Sequence, residues 1–375
     1  MSRSNLLIGI TGSIAAKKTI DLIRLLESNH DIKVICTYEG QNYINKEEYK
    51  NIDVYDSWDI NRENSYHIEL ARWADEFIIY PATANIISKL SSGIADDVLT
   101  STVLMFNGRV KIFPAMHEEM FLNNTIQTNL NNMLHNFDIY GPRYGRLDIG
   151  DEGIGRLLEP LEVNDILESH TMYKVYVVSG PTREYIDDIR YISNPSSGKQ
   201  GRAIALESHA RGYDTVLISS IEYKEVNTIK QFVFSDTKTL IDILSSIDIS
   251  SGYLFMPAAI SDFIPERTKG KMNRRLGQQQ LKLSPNIDII KKIKSENPDL
   301  IVIGFSAQLN EDIDIEKMNE KNLDYLITND ISNHEIGFES DNNEVTIVDR
   351  NKNIVRYSFK NKYLIAKEIL DHVIK

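Results

Sequence analysis

The sequence predicts an α/β fold class: two Rossmann-like or flavodoxin-like, three-layer domains with mainly parallel sheets, the C-terminal one carrying a β-hairpin. Three features predict it. Short apolar runs alternate with stretches whose apolar residues recur at helical spacing, the pattern of strand–helix–strand units. The alternation begins twice, at Leu6 and again at Lys174, after an intervening polar stretch. The chain also has 375 residues, too many for one small core.

Leu6 to Thr11 is the first strand and ends in Gly12-Ser13. Ile14, Ala15, Ile20, Ile23 and Leu26 then follow at helix spacing, and Ile32 to Thr37 reads as a second strand. Strand Phe77 to Tyr80, a helix start over Ala84 to Leu90 and strand Val110 to Phe113 continue the series. Val163 to Leu167 reads as a closing helix with Glu168-Ser169-His170-Thr171 as linker, which sets domains at 1–168 and 172–375. Beyond it come strand Lys174 to Ser179, the turn Gly180-Pro181-Thr182, helix Arg202 to Arg211 and strand Thr215 to Ser219. Strands are expected at Phe232 to Ser235, Tyr253 to Met256, Leu300 to Phe305 and Tyr325 to Thr328. Glu344 to Val348 and Ile354 to Ser358 flank Arg350-Asn351-Lys352 as an antiparallel hairpin, and Tyr363 to Val373 closes the chain as an amphipathic helix.

Lys+Arg number 42 against 54 Asp+Glu, for a formal charge of -12. Such a surface opposes general binding to nucleic acid or to anionic membranes, while allowing a local basic pocket for one nucleotide. Cys36 is the sole cysteine, which excludes an intrachain disulfide and a cysteine metal site. The N-terminal Met1 to Asn5 lacks the pattern of a signal peptide, and no apolar run has bilayer-spanning length. A reducing, cytoplasmic location is expected.

Each half opens with a strand delivering a glycine turn to a helix start, where free backbone N–H groups and the positive helix end favour phosphate. The dinucleotide fingerprint G-x-G-x-x-G is absent from both turns, which disfavours a nicotinamide dehydrogenase. More specific strings follow. They are Gly9-Ile10-Thr11-Gly12-Ser13-Ile14-Ala15-Ala16, His67-Ile68-Glu69-Leu70-Ala71-Arg72-Trp73-Ala74-Asp75, Pro81-Ala82-Thr83-Ala84-Asn85 and Gly93-Ile94-Ala95-Asp96-Asp97 in the first half. The second half has Ser179-Gly180-Pro181-Thr182-Arg183-Glu184, Arg190-Tyr191-Ile192-Ser193-Asn194, Ser196-Ser197-Gly198-Lys199, Gly304-Phe305-Ser306-Ala307 and Thr328-Asn329-Asp330-Ile331-Ser332. With these strings in this order, the chain resembles, nearly end to end, the bifunctional coenzyme A biosynthesis family. That family fuses phosphopantothenoylcysteine decarboxylase to phosphopantothenate–cysteine ligase.

For the second half the resemblance implies CTP-dependent joining of 4'-phosphopantothenate to cysteine through an acyl-nucleotide, with Mg2+ accompanying the triphosphate and its ligands unassigned. Lys271, with Arg274 and Arg275 in the segment Lys269 to Gly277, matches the basic loop over the triphosphate. Asn194 matches the residue that holds the acyl-nucleotide, and its amide can donate to the acyl oxygen. Gly180, Ser197, Gly198 and Gly201 match a backbone site for the substrate phosphate. Asp262, Asn286, Ile287, Asp288, Ile289 and Phe305 match nucleotide contacts, while Gln308 stands where the family has an acid. Lys317 and Lys321, spaced i, i+4, are expected to project from one helix face toward one phosphate chain.

For the first half the resemblance implies an FMN-dependent decarboxylase that oxidises the thiol carbon so that the carboxylate can leave, then reprotonates and reduces the product. Gly12, Ser13 and Ile14 match the FMN phosphate turn, and Thr37, Thr83, Asn85, Ser101 and Thr102 further flavin contacts. His67 matches the essential histidine. His117 stands where Asn is usual; Met120, Gly150, Asp151, Gly153 and Arg156 match substrate contacts, the last four in a clamp. Ile149 occupies the position of a frequent proton-donating Cys, which leaves His117, Asp148 or an ordered water as donor. Two other readings stay open: a ligase with a degenerate, FMN-binding first domain, and a non-catalytic regulatory flavoprotein. The resemblance also implies a homo-oligomer with trimeric contacts through the first domain and dimeric ones through the second.

Overall fold

In the computed structural model the described residues are 3–45, 47–58, 65–169, 173–223, 226–273, 275, 277–278, 280–308, 315–330, 332 and 339–374. The chain divides into two compact units. One comprises Met1–Thr171 with His209–Gly212 and Tyr223–Thr228; the other comprises Met172–Ser208, Tyr213–Glu222 and Ile229–Lys375. Of the expected linker, Glu168 instead ends a helix, and residues 170–172 lie outside the described set.

The first unit is built on β1 (Ser4–Ile10), β2 (His30–Cys36), β3 (Asp53–Tyr55), β4 (Glu76–Ala82), β5 (Val110–Pro114) and β6 (Phe137–Ile139). Their order is β3-β2-β1-β4-β5-β6 and all pairings are parallel. The connecting helices are α1 (Thr19–Leu26), α2 (Tyr66–Trp73), α3 (Ala84–Ser91), α4 (Val98–Met105), α5 (Glu118–Phe121), α6 (Asn124–Met133) and α7 (Pro160–Glu168). The pleat sends alternate residues of β1 to opposite faces. Leu6, Ile8 and Ile10 pack with Ile20, Ile23 and Leu26 of α1 and Val163 of α7. On the other face Gly9 leaves room for α4, since a Cβ there would lie 2.7 Å from Leu99 Cδ1. The helix expected from Ile14 onward is two pieces, a 3₁₀ helix at Ile14–Lys18 and then α1. A short antiparallel pair, β7 (Arg143–Arg146) and β8 (Glu152–Arg156), follows the sheet.

The second unit carries β9 (Lys174–Ser179), β12 (Asp214–Ser219), β13 (Lys230–Val233), β14 (Gly252–Met256), β17 (Leu300–Gln308), β18 (Tyr325–Asp330), β19 (Asn342–Asp349) and β20 (Ile354–Asn361) in one sheet. Between them in sequence come two ladders, β10 (Arg183–Tyr185) with β11 (Tyr191–Ser193) and β15 (Phe263–Pro265) with β16 (Leu283–Pro285). The main order is β13-β12-β9-β14-β17-β18-β19-β20, parallel as far as β18 and antiparallel for the last two, the expected hairpin. The strand expected at Phe232 to Ser235 ends earlier, at Val233, because Ser235 and Asp236 turn to cap the next helix. The helices are α8 (Lys199–Ala210), α9 (Thr237–Ser246), α10 (Ile289–Glu296), α11 (Ile315–Glu320) and α12 (Lys362–Val373). Tyr176, Val178, Leu254 and Val302 pack with Leu240, Leu244, Ile289, Ile293 and Met318. Helix α12 covers β19 and β20 with Ile365 and Ile369 fully buried.

Candidate active sites

In open parallel sheets, ligands bind outside the carboxyl ends of the strands where the strand order reverses. In the second unit that point lies between β9 and β14. Past the strand ends the two loops zip together: Ala259 N–H donates to Gly180 O (3.1 Å) and Thr182 N–H to Ala259 O (3.3 Å). Beside them opens a cavity of about 550 Å³, walled by Asn194 to Gly201, Met256 to Asp262, Asn286 to Ile290 and Gly304 to Ala307. Lys317, Lys321, Asn329, Asn343 and Lys362 also line it. The start of α8 faces this space, and close approach to β9 demands Gly201, whose Cβ would sit 2.4 Å from Ser179 Oγ. Ser179 Oγ in turn donates to Gly198 O (2.9 Å), fixing the turn whose residue 198 has φ 70°.

Of the predicted second-half residues, Asn194, Ser197, Gly198, Gly201, Asp262, Asn286, Ile287, Asp288, Ile289, Phe305, Lys317 and Lys321 line this one cavity. Asn286 is held by its amide, which donates to Ser261 O (2.7 Å) and Thr237 Oγ1 (2.9 Å). Asp288 caps α10 by accepting from Lys291 N–H (3.1 Å) and pairs with Lys321 (3.0 Å). Lys317 Nζ donates to Ser306 Oγ (3.1 Å). Lys317 and Lys321 lie one helical turn apart, with Lys321 N–H donating to Lys317 O (3.2 Å). Helix α11 ends at Glu320, and Lys321 lies in the turn completed by Asn322 at φ 51°. Both ammonium groups reach the cavity wall.

Two expected residues are not among the lining. Gly180 (φ 83°) faces Ser220, and Lys271 is exposed in the loop between β15 and β16. Arg274 lies outside the described residues, as does Ile331. Sequence reasoning missed Lys362, Lys199 and Asn343. Lys362 Nζ donates to Ser340 O (2.5 Å), and Lys199 donates to Asp341 (2.7 Å). Burial, aided by Lys199, pushes the Lys362 ammonium down to about 8. A Lys at a helix start carries no sequence signal for a cavity.

In the first unit the strand order reverses between β1 and β4. There Thr11 Oγ1 donates to Pro81 O (2.7 Å) and accepts from Thr83 N–H (3.2 Å), so a residue not singled out in the sequence ties the two strand ends. Gly12, Ser13, Thr37 and Thr83 all follow parallel strands directly and so share this edge. Ser13 caps the 3₁₀ helix by accepting from Ala15 N–H, and Thr83 caps α3 by accepting from Ile86 N–H. Ile14 and Asn85 are exposed beside them. Ser101 is partly exposed on α4, whereas Thr102 is fully buried with its hydroxyl donating to Val98 O (2.6 Å), so it offers no surface to a ligand.

His67 is the second residue of α2 and sits edge-on to Trp58 (5.3 Å between centroids). Its Nδ1 is buried with no hydrogen-bond partner among the described residues, a donor or acceptor left for a ligand. The β7–β8 hairpin packs on the loop after β5. Met116 N–H donates to Gly155 O (3.1 Å), and Ile154 N–H to Glu118 Oε1 (2.9 Å). At its tip Gly150 has φ 97°, Ile149 is exposed, and Asp151 approaches His117 Nε2 (3.5 Å), whose Nδ1 meets Glu119. Gly153 is pressed against Glu118, Arg156 pairs with Glu159 (2.5 Å), and Met120 is exposed on α5.

Hydroxyl caps, a glycine turn, an amide and an orphaned imidazole nitrogen fit a phosphorylated, hydrogen-bonding cofactor in the first unit. A protein-held metal cage is another matter. Among the described residues no cluster of three or more His, Cys, Asp or Glu has the arrangement to hold an ion. Nor is any helix among them long and apolar enough to cross a membrane.

Fold and sites together define a two-domain α/β enzyme with a candidate ligand site at the carboxyl edge of each sheet. A family model described as Flavoprotein matches residues 1–172, and one described as DNA/pantothenate metabolism flavoprotein C-terminal domain matches 171–375. The coenzyme A biosynthesis bifunctional protein CoaBC of Bacillus subtilis (strain 168) is 30% identical over 395 residues, covering 100% of this chain and 97% of that protein. The one from Haemophilus influenzae is 33% identical over 399 residues, covering 100% and 98%. A solved C-terminal domain of CoaBC covers 54% of this chain and 93% of its own, at 22% identity and a TM-score of 0.45. The chain belongs to the family of bifunctional coenzyme A biosynthesis proteins, with a decarboxylase and a phosphopantothenate–cysteine ligase activity.

Proposed function

We propose that residues 172–375 hold the ligase and residues 1–168 the decarboxylase, with CTP and FMN as their nucleotide and flavin. One observation carries the ligase assignment: Asn194, the glycine turn at Gly198 and two cationic side chains meet in a single cavity. A carboxylate is a poor electrophile. In this scheme the carboxylate oxygen of 4'-phosphopantothenate attacks the α-phosphorus of CTP and pyrophosphate leaves. The cysteine amine then attacks the acyl carbon, releasing CMP. Lys317 and Lys321 neutralise the triphosphate, and the start of α8 with Ser197 and Gly198 takes the substrate phosphate. Asn194 donates to the acyl oxygen as charge develops there. Asp262 and Asn286 to Ile289 border the base and ribose. Mg2+ would enter as a complex with the nucleotide, with its protein ligands unassigned.

In the first unit, Gly12 to Ile14 hold the FMN phosphate and Thr37, Thr83, Asn85 and Ser101 hydrogen-bond the rest. Bound FMN supplies the oxidation and the returning reduction. His67 offers its free Nδ1 to the substrate carboxylate, and the β7–β8 clamp closes over the substrate. His117 is our choice for the proton donor that Ile149 cannot be, since its ring joins the clamp tip at Asp151.

The test is incubation of purified protein with 4'-phosphopantothenate, cysteine and each nucleotide in turn, with mass spectrometry of products and an absorbance scan for flavin. The expected products are CMP, pyrophosphate, CO2 and 4'-phosphopantetheine, from CTP alone and from yellow protein. Accumulation of the cysteine adduct without CO2 defeats the decarboxylase half of the proposal. Equal turnover with ATP defeats the choice of nucleotide.

A further inference from the structure

The loop that carries Lys271 leaves and rejoins the cavity wall through the β15–β16 ladder. Its two ends meet where Asn286 N–H donates to Asp262 O (2.8 Å), and both residues line the cavity. A second attachment lies elsewhere, on the turn between β10 and β11. Asp187 in that turn has no solvent exposure. Its carboxylate accepts from the N–H groups of Ile189 (2.8 Å) and Arg190 (2.7 Å), from Arg190 Nε (2.9 Å) and Nη2, and from Met272 N–H (3.0 Å). Arg190 Nη2 also donates to Met272 O (3.0 Å). Next to it, Asp188 accepts from Gly270 N–H (2.9 Å) and from Arg267 (2.9 Å), and its own N–H donates to Gly270 O (3.2 Å). Thr268 N–H donates to Ile186 O (2.8 Å).

Gly270 and Met272 are therefore both pinned, and the residue between them is Lys271. Nothing in local propensity requires this. The turn could satisfy Asp187 with its own N–H groups and Arg190 alone, yet the carboxylate also reaches a loop 85 residues away. The Arg190 guanidinium, then the Met272 N–H, hold that carboxyl far below the usual carboxylate range, so the anchor is ionised at any working pH.

We propose that Asp187 is a positioning residue for the ligase: with Arg190 it fixes the loop backbone on the far side of Lys271, giving that ammonium a set pivot from which to meet the nucleotide phosphates. This rests on the role that the family resemblance implies for Lys271, contact with the triphosphate from a loop above the cavity that it does not itself line in this structure. Rigid placement matters because small misplacement of a charge-stabilising group costs rate more than binding.

The experiment uses the full-length protein and measures ligase kcat and KM for CTP in Asp187→Asn, Lys271→Ala and the double variant. Decarboxylation of supplied phosphopantothenoylcysteine is followed in parallel. Asp187→Asn is expected to lower ligase kcat by about 10- to 100-fold, with KM for CTP changed far less and decarboxylation unchanged. In the double variant no loss is expected beyond that of Lys271→Ala, because one residue acts through the other. A normal rate in Lys271→Ala refutes the reading of Lys271 itself. A slow Lys271→Ala with a normal Asp187→Asn refutes the anchor and leaves that reading standing. Multiplying losses in the double variant also refute it. Should Asp187→Asn fail to fold, Arg190→Gln decides: it removes the guanidinium that joins Asp187 to Met272 O without changing the loop sequence, and has to reproduce the loss in kcat.

Discussion

Lys317 and Lys321 show how little a charge count says and how much placement does. Each lines the cavity with a partner already in place, Ser306 Oγ and Asp288 respectively. A hydrogen bond to a charged group contributes about 1.5–3 kcal/mol. Lys317→Ala is therefore expected to lower ligase kcat/KM for the nucleotide by about 10- to 100-fold, roughly tenfold per 1.4 kcal/mol. A fall of less than twofold in steady-state kinetics would remove Lys317 from the triphosphate site. Lys362 makes a different prediction, about stability. Its ammonium is depressed to about 8 by burial and by Lys199, with Asp341 opposing. A depressed lysine destabilises the fold where it must stay charged, fully so below pH 8. The penalty fades as pH rises from about 8 toward the ordinary 10.5, because the unfolded chain then binds more protons than the folded one. Stability from this group thus rises with pH across that window, by on the order of 3 kcal/mol. Urea unfolding of Lys362→Met should lose this rise relative to the parent; parallel curves from pH 8 to 10.5 would show that another group is responsible.

At the level of elements, the β7–β8 hairpin tests how close packing shapes the first site. Gly155 lies so near the preceding loop that a Cβ would fall 2.0 Å from Met116 O, a backbone atom that cannot step aside. Gly155→Ala is expected to lift the clamp from the His117 loop and lower decarboxylation by at least about tenfold, with ligation in the same preparation unaffected. Equal loss of both activities would mean general unfolding instead. This contact also marks the limit of sequence legibility. The main strands were readable because buried parallel strands are nearly continuous apolar runs, as at Leu6 to Ile10 and Lys174 to Ser179, whereas the three-residue edge strands β3 and β6 are too short to leave such a run. The early helix was misjudged, since apolar spacing from Ile14 to Leu26 does not tell a 3₁₀ helix from the α-helix that continues it. The twelve motif residues gathered in the second cavity were legible through likeness alone, and Lys362, Asn343 and Thr11 were not, because pairing across a sheet leaves no local pattern.

For the molecule as a whole, two separate cores imply two separable failures. Each unit has its own buried apolar cluster and its own strand-order reversal, and the residues proposed for ligation and for decarboxylation fall in different units. A lesion at one site should leave the other working. His67→Ala removes the imidazole, whose Nδ1 has no hydrogen-bond partner among the described residues. Given 4'-phosphopantothenate, cysteine and CTP, this variant is expected to release pyrophosphate at the parental rate and to stop at phosphopantothenoylcysteine. Lys317→Ala is expected to behave in the opposite way, decarboxylating supplied adduct at the parental rate while making little of it. Mixing the two proteins should then restore 4'-phosphopantetheine, because the adduct is a small soluble anion able to leave one intact site for another. Full recovery at micromolar protein, read by mass spectrometry, would establish a diffusing intermediate. If the mixture stays silent while each variant keeps its one activity, the adduct does not exchange between molecules, and the independence of the two sites fails at the level of the assembly.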